Sequence, residues 1–260
     1  CGGWHNGYGW VYDGLSQVEE LNRRLAFVKH LTRQSALIRE LPPKRRQVVR
    51  LAPAHQDKPA PMKRIIQVAA RSGDASILRE VLLEEASSRK ATYVSELVRD
   101  AIKCGQKVIV FTGRKRICEA LGQTLEKLPV WVAHGDTPDR PRIRQEYMAH
   151  RGGCALIGTW HAWGETLDLQ DTDLLIFAML PCTPKEVVQG EGRVARIGQT
   201  RPVLVLYVIA EHTVDEDVAD DLIGKLPAVI EVADGESLEG ISESFQPVST
   251  RSLLDRIANL

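Results

Sequence analysis

The chain has 260 residues, with 34 Lys and Arg against 34 Asp and Glu, and 43% of its residues are hydrophobic. This composition is typical of one large or two small globular domains and argues against disorder. The longest apolar run, Val203–Ala210, is far shorter than the roughly 18 residues of a membrane helix, and no secretory signal pattern opens the chain.

The five cysteines lack the CxxC spacing of a zinc ribbon. We therefore predict neither a metal site nor a disulfide framework, and we expect a reducing compartment. The chain begins with Cys1 and not with Met, which is expected of a processed or truncated piece of a longer protein.

Charge is distributed unevenly although the net charge is zero. Residues 1–71 hold 13 Lys or Arg and 5 Asp or Glu, whereas residues 211–260 hold 3 and 12. A basic first segment favours a polyanionic or acidic partner, and a solvated basic helix face would give the same count. Both explanations stay open at this point.

The first predicted elements precede a proline-rich linker over residues 52–61. Residues 1–15, rich in glycine and aromatic side chains, are expected to form an irregular loop. Ser16 and Glu19 have capping-box spacing, and apolar residues follow at helical intervals, so we predict a helix over 16–40. A short strand is predicted over 47–51.

Beyond the linker, strands that are apolar throughout alternate with helices. The predicted elements are a helical tract (74–103), a strand (107–112), a helix (117–128), a strand (130–133), a helix (140–149), strands (154–158, 174–178), a helix (185–197), a strand (203–209) and a helix (214–226). Strands without a polar face indicate a parallel sheet that is covered on both sides. The expected fold class is α/β, a doubly wound parallel sheet with an N-terminal helical segment.

Ligands of doubly wound sheets bind at the carboxyl ends of the strands. Polar or glycine-rich residues lie at four such places, namely residues 112–114, 134–136, 158–159 and the segment leading into 189–199. Neither a GxxxxGK[ST] nor a GxGxxG loop is present, so the chain lacks its own phosphate cradle.

Arg193 and Arg196 are the strongest candidates for a phosphate contact. They are three residues apart, so a helix would project both from one face. Two guanidinium groups on one face can hold a chain of phosphates. A pair of surface arginines in salt bridges has the same spacing, so the spacing alone leaves both interpretations open.

The string from Gln189 to Gln199, QGEGRVARIGQ, resembles motif VI (QxxxRxxRIGQ) of Swi/Snf-type ATPases in helicase superfamily two. Residues 107–114 are similar to motif IV, residues 158–169 to motif V, and residues 41–49 to the segment that joins the two lobes. The resemblance covers roughly residues 41–225. The part of these ATPases that the chain resembles is the second, RecA-like lobe, in the form found in compact annealing-helicase-like and phage or bacterial members.

The resemblance implies an ATP-driven motor with two lobes. Arg193 and Arg196 would reach the γ-phosphate of ATP, which the first lobe holds together with Mg²⁺. Gln189 and Gly164 would contribute to nucleotide binding. A first RecA-like lobe, in the same precursor or a separate chain, is therefore an expected partner.

DNA, expected to be double-stranded, is the second partner that the resemblance implies. Gly113, Arg114, Thr159 and His161 would lie along its phosphate backbone, where small residues and amides allow close approach without reading bases. Such a protein is expected in the cytoplasm or at the nucleoid, or in the host cytoplasm if it is viral, and not in a membrane.

The implied organisation has four parts. Residues 1–45 would be the helical tail of the first lobe, 46–106 the joining linker and helices, 107–226 the RecA-like lobe, and 227–260 an acidic extension. The Walker A lysine and the Mg²⁺-binding carboxylates belong to the first lobe, so we expect no ATPase activity from this chain alone.

Four positions depart from the family's pattern, one of them Cys182, which replaces a tryptophan two residues before Pro184. Thr166 replaces a motif V glycine, Gly192 an aspartate before the first arginine, and Ala195 a histidine before the second. The two arginines themselves are present. The departures favour an alternative function, a nucleic-acid- or protein-binding module that is derived from such a lobe and has lost turnover.

Overall fold

The computed structural model describes residues 2–5, 10–14, 23, 42, 44–57, 67–68, 71, 75–163, 169–195 and 198–222. Apart from Arg23, which is helical, the predicted helix over 16–40 lies outside this part. The same applies to Thr166 and to the acidic extension 227–260.

The described residues near the N-terminus form an antiparallel hairpin of two strands, β1 (Gly2–His5) and β2 (Trp10–Gly14). The irregular loop predicted over 1–15 was therefore wrong for these residues. The strands were not predicted because residues 1–15 are rich in glycine, which is depleted in strand interiors. Asn6-Gly7 in the sequence between them is a typical hairpin-turn signal that could have indicated the pairing.

A six-stranded sheet in the order β3-β8-β7-β4-β6-β5 forms the centre of the described structure, and all its strand pairs are parallel. The strands are β3 (Lys44–Leu51), β4 (Lys107–Thr112), β5 (Val130–Ala133), β6 (Cys154–Thr159), β7 (Leu174–Phe177) and β8 (Val203–Ala210). The predicted α/β class with a doubly wound parallel sheet is confirmed.

Helices cover both faces of this sheet. They are α1 (Ala75–Arg89), α2 (Ala91–Lys103), α3 (Lys115–Thr124), α4 (Arg140–Ala149), α5 (Pro184–Val194) and α6 (residues 214–222). Alternate residues of β4 enter two separate apolar cores, one shared with α2 and α3 and the other with α4, α5 and α6. Burial on both faces explains why the strands are apolar throughout.

The sheet extends beyond the range 107–226 that was predicted for the lobe. Strand β3 pairs with β8 along its whole length, so the expected division between residues 45 and 46 falls inside a strand. Helix α2 packs on the same sheet, ahead of the predicted boundary at residue 107. The start of β3 was not predicted because Lys44 and Arg46 are charged, and charged residues are not expected in a covered strand. Both pair with a buried carboxylate that is distant in sequence.

The helical tract predicted over 74–103 consists of two helices with a junction at Lys90. The Lys90 side chain is fully buried there and reaches the carboxylate of Asp215. None of the helices in the described ranges is both long and apolar enough to cross a membrane.

Candidate functional site

A cleft of about 370 Å³ opens at the carboxyl edge of the sheet. The end of β4, the turn after β6 and the first three turns of α5 contribute its walls, which are formed by Phe111, Trp160, His161, Thr183, Lys185, Glu186, Gln189, Gly190 and Arg193. This edge is where parallel sheets of this class bind ligands. The cleft brings together three of the predicted site residues, namely His161, Gln189 and Arg193.

Helix α5 begins with a complete capping box. The Thr183 hydroxyl accepts a hydrogen bond from the Glu186 amide at 3.3 Å, and the Glu186 carboxylate accepts one from the Thr183 amide at 3.2 Å. Pro184 occupies the first helical position, where its missing N–H costs nothing. With the start of the helix fixed, Gln189 and Arg193, four residues apart, lie on the same face.

Gly190 lets α5 approach the sheet closely. A Cβ atom at this position would lie 3.0 Å from the Phe177 ring and 3.5 Å from the Phe111 ring. A larger residue would push the helix outward by a few tenths of an ångström. Gly190 therefore sets the depth at which its neighbours Gln189 and Arg193 enter the cleft.

Glu191 is a buried carboxylate in the same helix, with 1% of its surface exposed. Arg46 donates to both of its oxygens, with Nε 2.7 Å from Oε1 and Nη2 2.6 Å from Oε2. The Tyr207 hydroxyl donates to Oε1 at 2.6 Å, and Lys44 Nζ lies 3.3 Å from Oε2. Glu191 lies within the motif VI string, and a carboxylate on the buried face of an amphipathic helix is the sequence signal of such a partner.

Thr159 is the last residue of β6 and is buried, whereas His161, in the turn that follows, lines the cleft. The Thr159 hydroxyl accepts a hydrogen bond from the Ala162 amide at 3.3 Å, so it closes the turn. The Trp160 indole donates to His161 Nε2 at 2.9 Å, and 70% of the His161 side chain is exposed. Glu186 Oε1 lies 3.5 Å from the same imidazole nitrogen.

Gly113 and Arg114 follow β4 beside the cleft. A Cβ atom on Gly113 would lie 2.6 Å from the Trp160 ring and 2.9 Å from the Met179 sulfur, so close packing requires glycine there. Arg114 Nη2 lies 2.7 Å from Glu80 Oε2 on α1. The guanidinium that was predicted to face DNA is therefore engaged by a carboxylate in this structure.

Comparison with known proteins identifies the family of this lobe. Residues 89–198 match the model of the helicase conserved C-terminal domain. Over 225 residues the chain is 30% identical to the SWI/SNF-related matrix-associated actin-dependent regulator of chromatin subfamily A-like protein 1 of Xenopus tropicalis, which covers 80% of this chain and 24% of that protein. The chain contains a helicase C-terminal lobe of the Swi/Snf type.

Other relatives of this Swi/Snf-type lobe agree with that assignment. The protein of the same name from Drosophila melanogaster is 24% identical over 97% of this chain and 35% of its own length. The uncharacterized ATP-dependent helicase YqhH of Bacillus subtilis is 28% identical over 58% of this chain and 27% of its own length. The chain thus spans about a quarter to a third of the length of these curated relatives.

Among solved structures, the C-terminal part of the Fun30 ATPase domain is similar to this chain, with a TM-score of 0.48 and 14% identity over 75% of this chain and 60% of that one.

Two predicted site residues of the helicase lobe, Gly164 and Arg196, lie outside the described residues, and their roles stay predictions. The Arg193 carbonyl accepts a hydrogen bond from the Leu169 amide at 2.9 Å, which joins the arginine-bearing helix to the end of motif V. Within the described ranges, no group of three His, Cys, Asp or Glu side chains is arranged to hold a metal ion.

Proposed function

We propose that this lobe is the C-terminal half of a DNA-dependent ATPase that translocates on duplex DNA. Arg193 and Arg196 act as arginine fingers on ATP, which a first RecA-like lobe holds together with Mg²⁺. The observation that carries the proposal is the common cleft: Gln189 and Arg193 line it one helical turn apart, at the ligand-binding edge of the sheet.

The side chains at this cleft fit a phosphate chain. Lys185 and Arg193 supply cationic donors, and the Gln189 amide supplies a neutral one. The carboxylate in the cleft wall, Glu186, is engaged at the start of α5. Cations therefore outnumber anions among the lining residues.

Electrostatic stabilisation is what the two arginines contribute in this proposal. Negative charge spreads over the transferred phosphoryl group in the transition state, and an arginine finger accelerates the reaction by about 10³–10⁵. The effect requires that the nucleotide is already seated opposite the finger. Gly113, Arg114, Thr159 and His161 would follow the DNA phosphates on the same edge.

The decisive experiment replaces each arginine separately in a protein that contains both lobes. We expect Arg193→Ala and Arg196→Ala to lower DNA-stimulated ATP turnover by about 10³-fold or more. ATP affinity should stay close to that of the wild type, because most ground-state contacts belong to the first lobe. Phosphate release and equilibrium nucleotide binding measure the two quantities.

The matched control is Arg142→Ala, which removes a 73% exposed arginine that pairs with Glu146 within α4. Turnover in this variant should equal that of the wild type. Wild-type turnover in both Arg193→Ala and Arg196→Ala would contradict the proposal.

A second candidate function is a nucleic-acid- or protein-binding module without turnover. It is favoured by Gly192 and Ala195, because neither has a side chain that could orient an arginine. The two functions differ in one measurement, DNA-stimulated phosphate release by the protein with both lobes. Binding of DNA without such release would favour the module.

A further inference from the structure

We propose that Arg46 is a positioning residue for the arginine-bearing helix, and that it acts through Glu191. Arg46 lies on β3 and Glu191 lies within α5, two residues before Arg193. The catalytic consequence of this inference rests on the proposed function, since the orientation of α5 affects turnover only if Arg193 acts on ATP. The physical link between β3 and α5 does not depend on it.

The link has a defined geometry. Two parallel hydrogen bonds of 2.7 and 2.6 Å join the Arg46 guanidinium to the Glu191 carboxylate. Such a bidentate pair fixes the direction of both side chains as well as their distance. Tyr207, whose hydroxyl holds Glu191 Oε1, is stacked on Phe177 at a ring-centroid distance of 5.0 Å, so this side of the carboxylate is also fixed.

The other contacts of Glu191 are not able to replace Arg46. Lys44 approaches one oxygen at 3.3 Å, and 31% of its side chain is exposed, whereas 15% of the Arg46 side chain is. A buried carboxylate that loses its bidentate partner must gain water or move toward another donor. Either change displaces the turn of α5 that contains Arg193.

Two residues close to Arg193 in sequence, Gly192 and Ala195, are small. A Cβ atom on Gly192 would have no heavy atom within 4 Å, and the side chain of Ala195 is only a methyl group. In the family that the sequence resembles, these positions hold an aspartate and a histidine. The described contacts that fix this part of α5 include the ion pair at Glu191, the close packing of Gly190 and the hydrogen bond from the Leu169 amide to the Arg193 carbonyl.

Arg46 also lies close to the point where the chain enters the lobe. It is the third residue of β3, and residues 41–49 resemble the segment that joins the two lobes. A change in how this segment enters the sheet would reach Glu191 through the bidentate pair. The position of the arginine helix is therefore tied to the lobe connection.

The kinetic test compares Arg46→Ala, Arg46→Lys and Arg45→Ala in the two-lobe protein. Arg45→Ala is the matched control, because alternation along β3 places this exposed arginine on the opposite side of the strand from Arg46. Arg46→Ala should lower kcat by about 10²-fold, as expected when a catalytic group is displaced by about 1 Å. The KM for ATP should stay within about twofold, because ground-state binding is unchanged.

Arg46→Lys should recover part of kcat, since lysine keeps the charge but not the two parallel bonds. Arg45→Ala should have the kcat of the wild type. Wild-type kcat for Arg46→Ala, in a protein that Arg193→Ala inactivates, would overturn the positioning role.

Hydrogen exchange on the 260-residue chain tests the link without nucleotide. Arg46→Ala should increase the exchange of amides 187–194, Arg46→Lys should do so to a smaller extent, and α2 should keep the protection of the wild type. Unchanged exchange in α5, or equal loss of protection throughout the sheet, would overturn the inference. If Arg193→Ala keeps full turnover, the proposed function fails, and this exchange pattern still decides whether Arg46 holds α5.

Discussion

Glu191 is a carboxylate whose ionisation is set by two opposing effects. Burial alone would raise its pKa, but the hydrogen bond and charge of Arg46, the charge of Lys44 and the hydrogen bond of Tyr207 outweigh burial, so the pKa lies below its ordinary value. The ionised form is therefore favoured by folding. It stabilises the protein at every pH at which the unfolded glutamate is also ionised.

Glu191→Gln should consequently destabilise the protein in a pH-dependent manner. At about pH 7 we expect a loss of about 1.5–3 kcal/mol, the range for hydrogen bonds to charged groups. Below the ordinary glutamate pKa of 4.5 the unfolded chain becomes protonated before the folded protein does, so the difference should shrink as the pH falls from 4.5 through the lower pKa of the folded protein.

Thermal unfolding of both proteins over this pH range measures the difference, and the contributions of all other carboxylates cancel in the comparison. A difference in Tm that stays constant from neutral to acid pH would show that the charge of Glu191 contributes nothing.

At the scale of whole elements, a buried ion pair joins the junction of α1 and α2 to β8 and α6. Lys90 Nζ lies 2.6 Å from Asp215 Oδ2 and donates to the Val208 carbonyl at 2.8 Å, and both side chains are fully buried. Asp215 also accepts a hydrogen bond from the Ala210 amide at 3.0 Å. Burial lowers the pKa of Lys90, and the charge of Asp215 opposes that shift.

Lys90→Met should lower the free energy of unfolding by about 3–5 kcal/mol, because it leaves the Asp215 carboxylate buried without its cation. The double variant Lys90→Met, Asp215→Leu should recover part of this loss, since apolar replacements of buried pairs are often tolerated. Recovery is incomplete because the Ala210 amide loses its acceptor.

Urea unfolding measures these differences. Lys103→Met is the control, as this lysine is 72% exposed in its pair with Asp100 and its loss should change stability by about 0.5 kcal/mol or less. Equal effects of Lys90→Met and Lys103→Met would contradict the interpretation of Lys90 as part of a stabilising buried pair.

The elements that were predictable from sequence are those whose local pattern determines them. Strand β4, strand β5 and helix α4 have the predicted bounds, because continuous apolar runs and helical periodicity are local signals. The start of β3 was not predictable in this way. Its charges are satisfied by Glu191, 145 positions from Arg46, and no local pattern reports such a contact.

Some residues of the candidate site were likewise predictable from sequence, and others were not. His161, Gln189 and Arg193 were expected from their motifs, and all three line the cleft. Phe111 and Lys185 were not expected, because their membership depends on how α5 packs over the end of β4. That packing is tertiary, and the close approach at Gly190 determines it.

At the scale of the whole molecule, each of the three basic residues that follow β4 forms an ion pair with a carboxylate. Arg114 lies 2.7 Å from Glu80, Lys115 2.6 Å from Asp136, and Arg116 3.2 Å from Glu84. Exposed ion pairs of this kind stabilise a protein little. If the proposed function holds, DNA phosphates would replace these carboxylates at a small cost in free energy, and each lost ion pair would reduce the free energy gained from binding DNA by that cost.

DNA affinity should accordingly depend on salt and be nearly indifferent to base sequence. About three to five phosphate contacts would give a slope of log affinity against log salt of about −3 to −4.5. Arg114→Ala should flatten this slope by about one unit without creating a sequence preference. Glu80→Gln should raise the affinity, because it removes the carboxylate that competes with DNA for Arg114.

Fluorescence polarisation with two unrelated duplexes over a range of salt concentrations measures all of these quantities, with Arg142→Ala as the control. Binding that is independent of salt, or strong preference for one duplex, would identify a sequence-recognition module in place of a motor lobe.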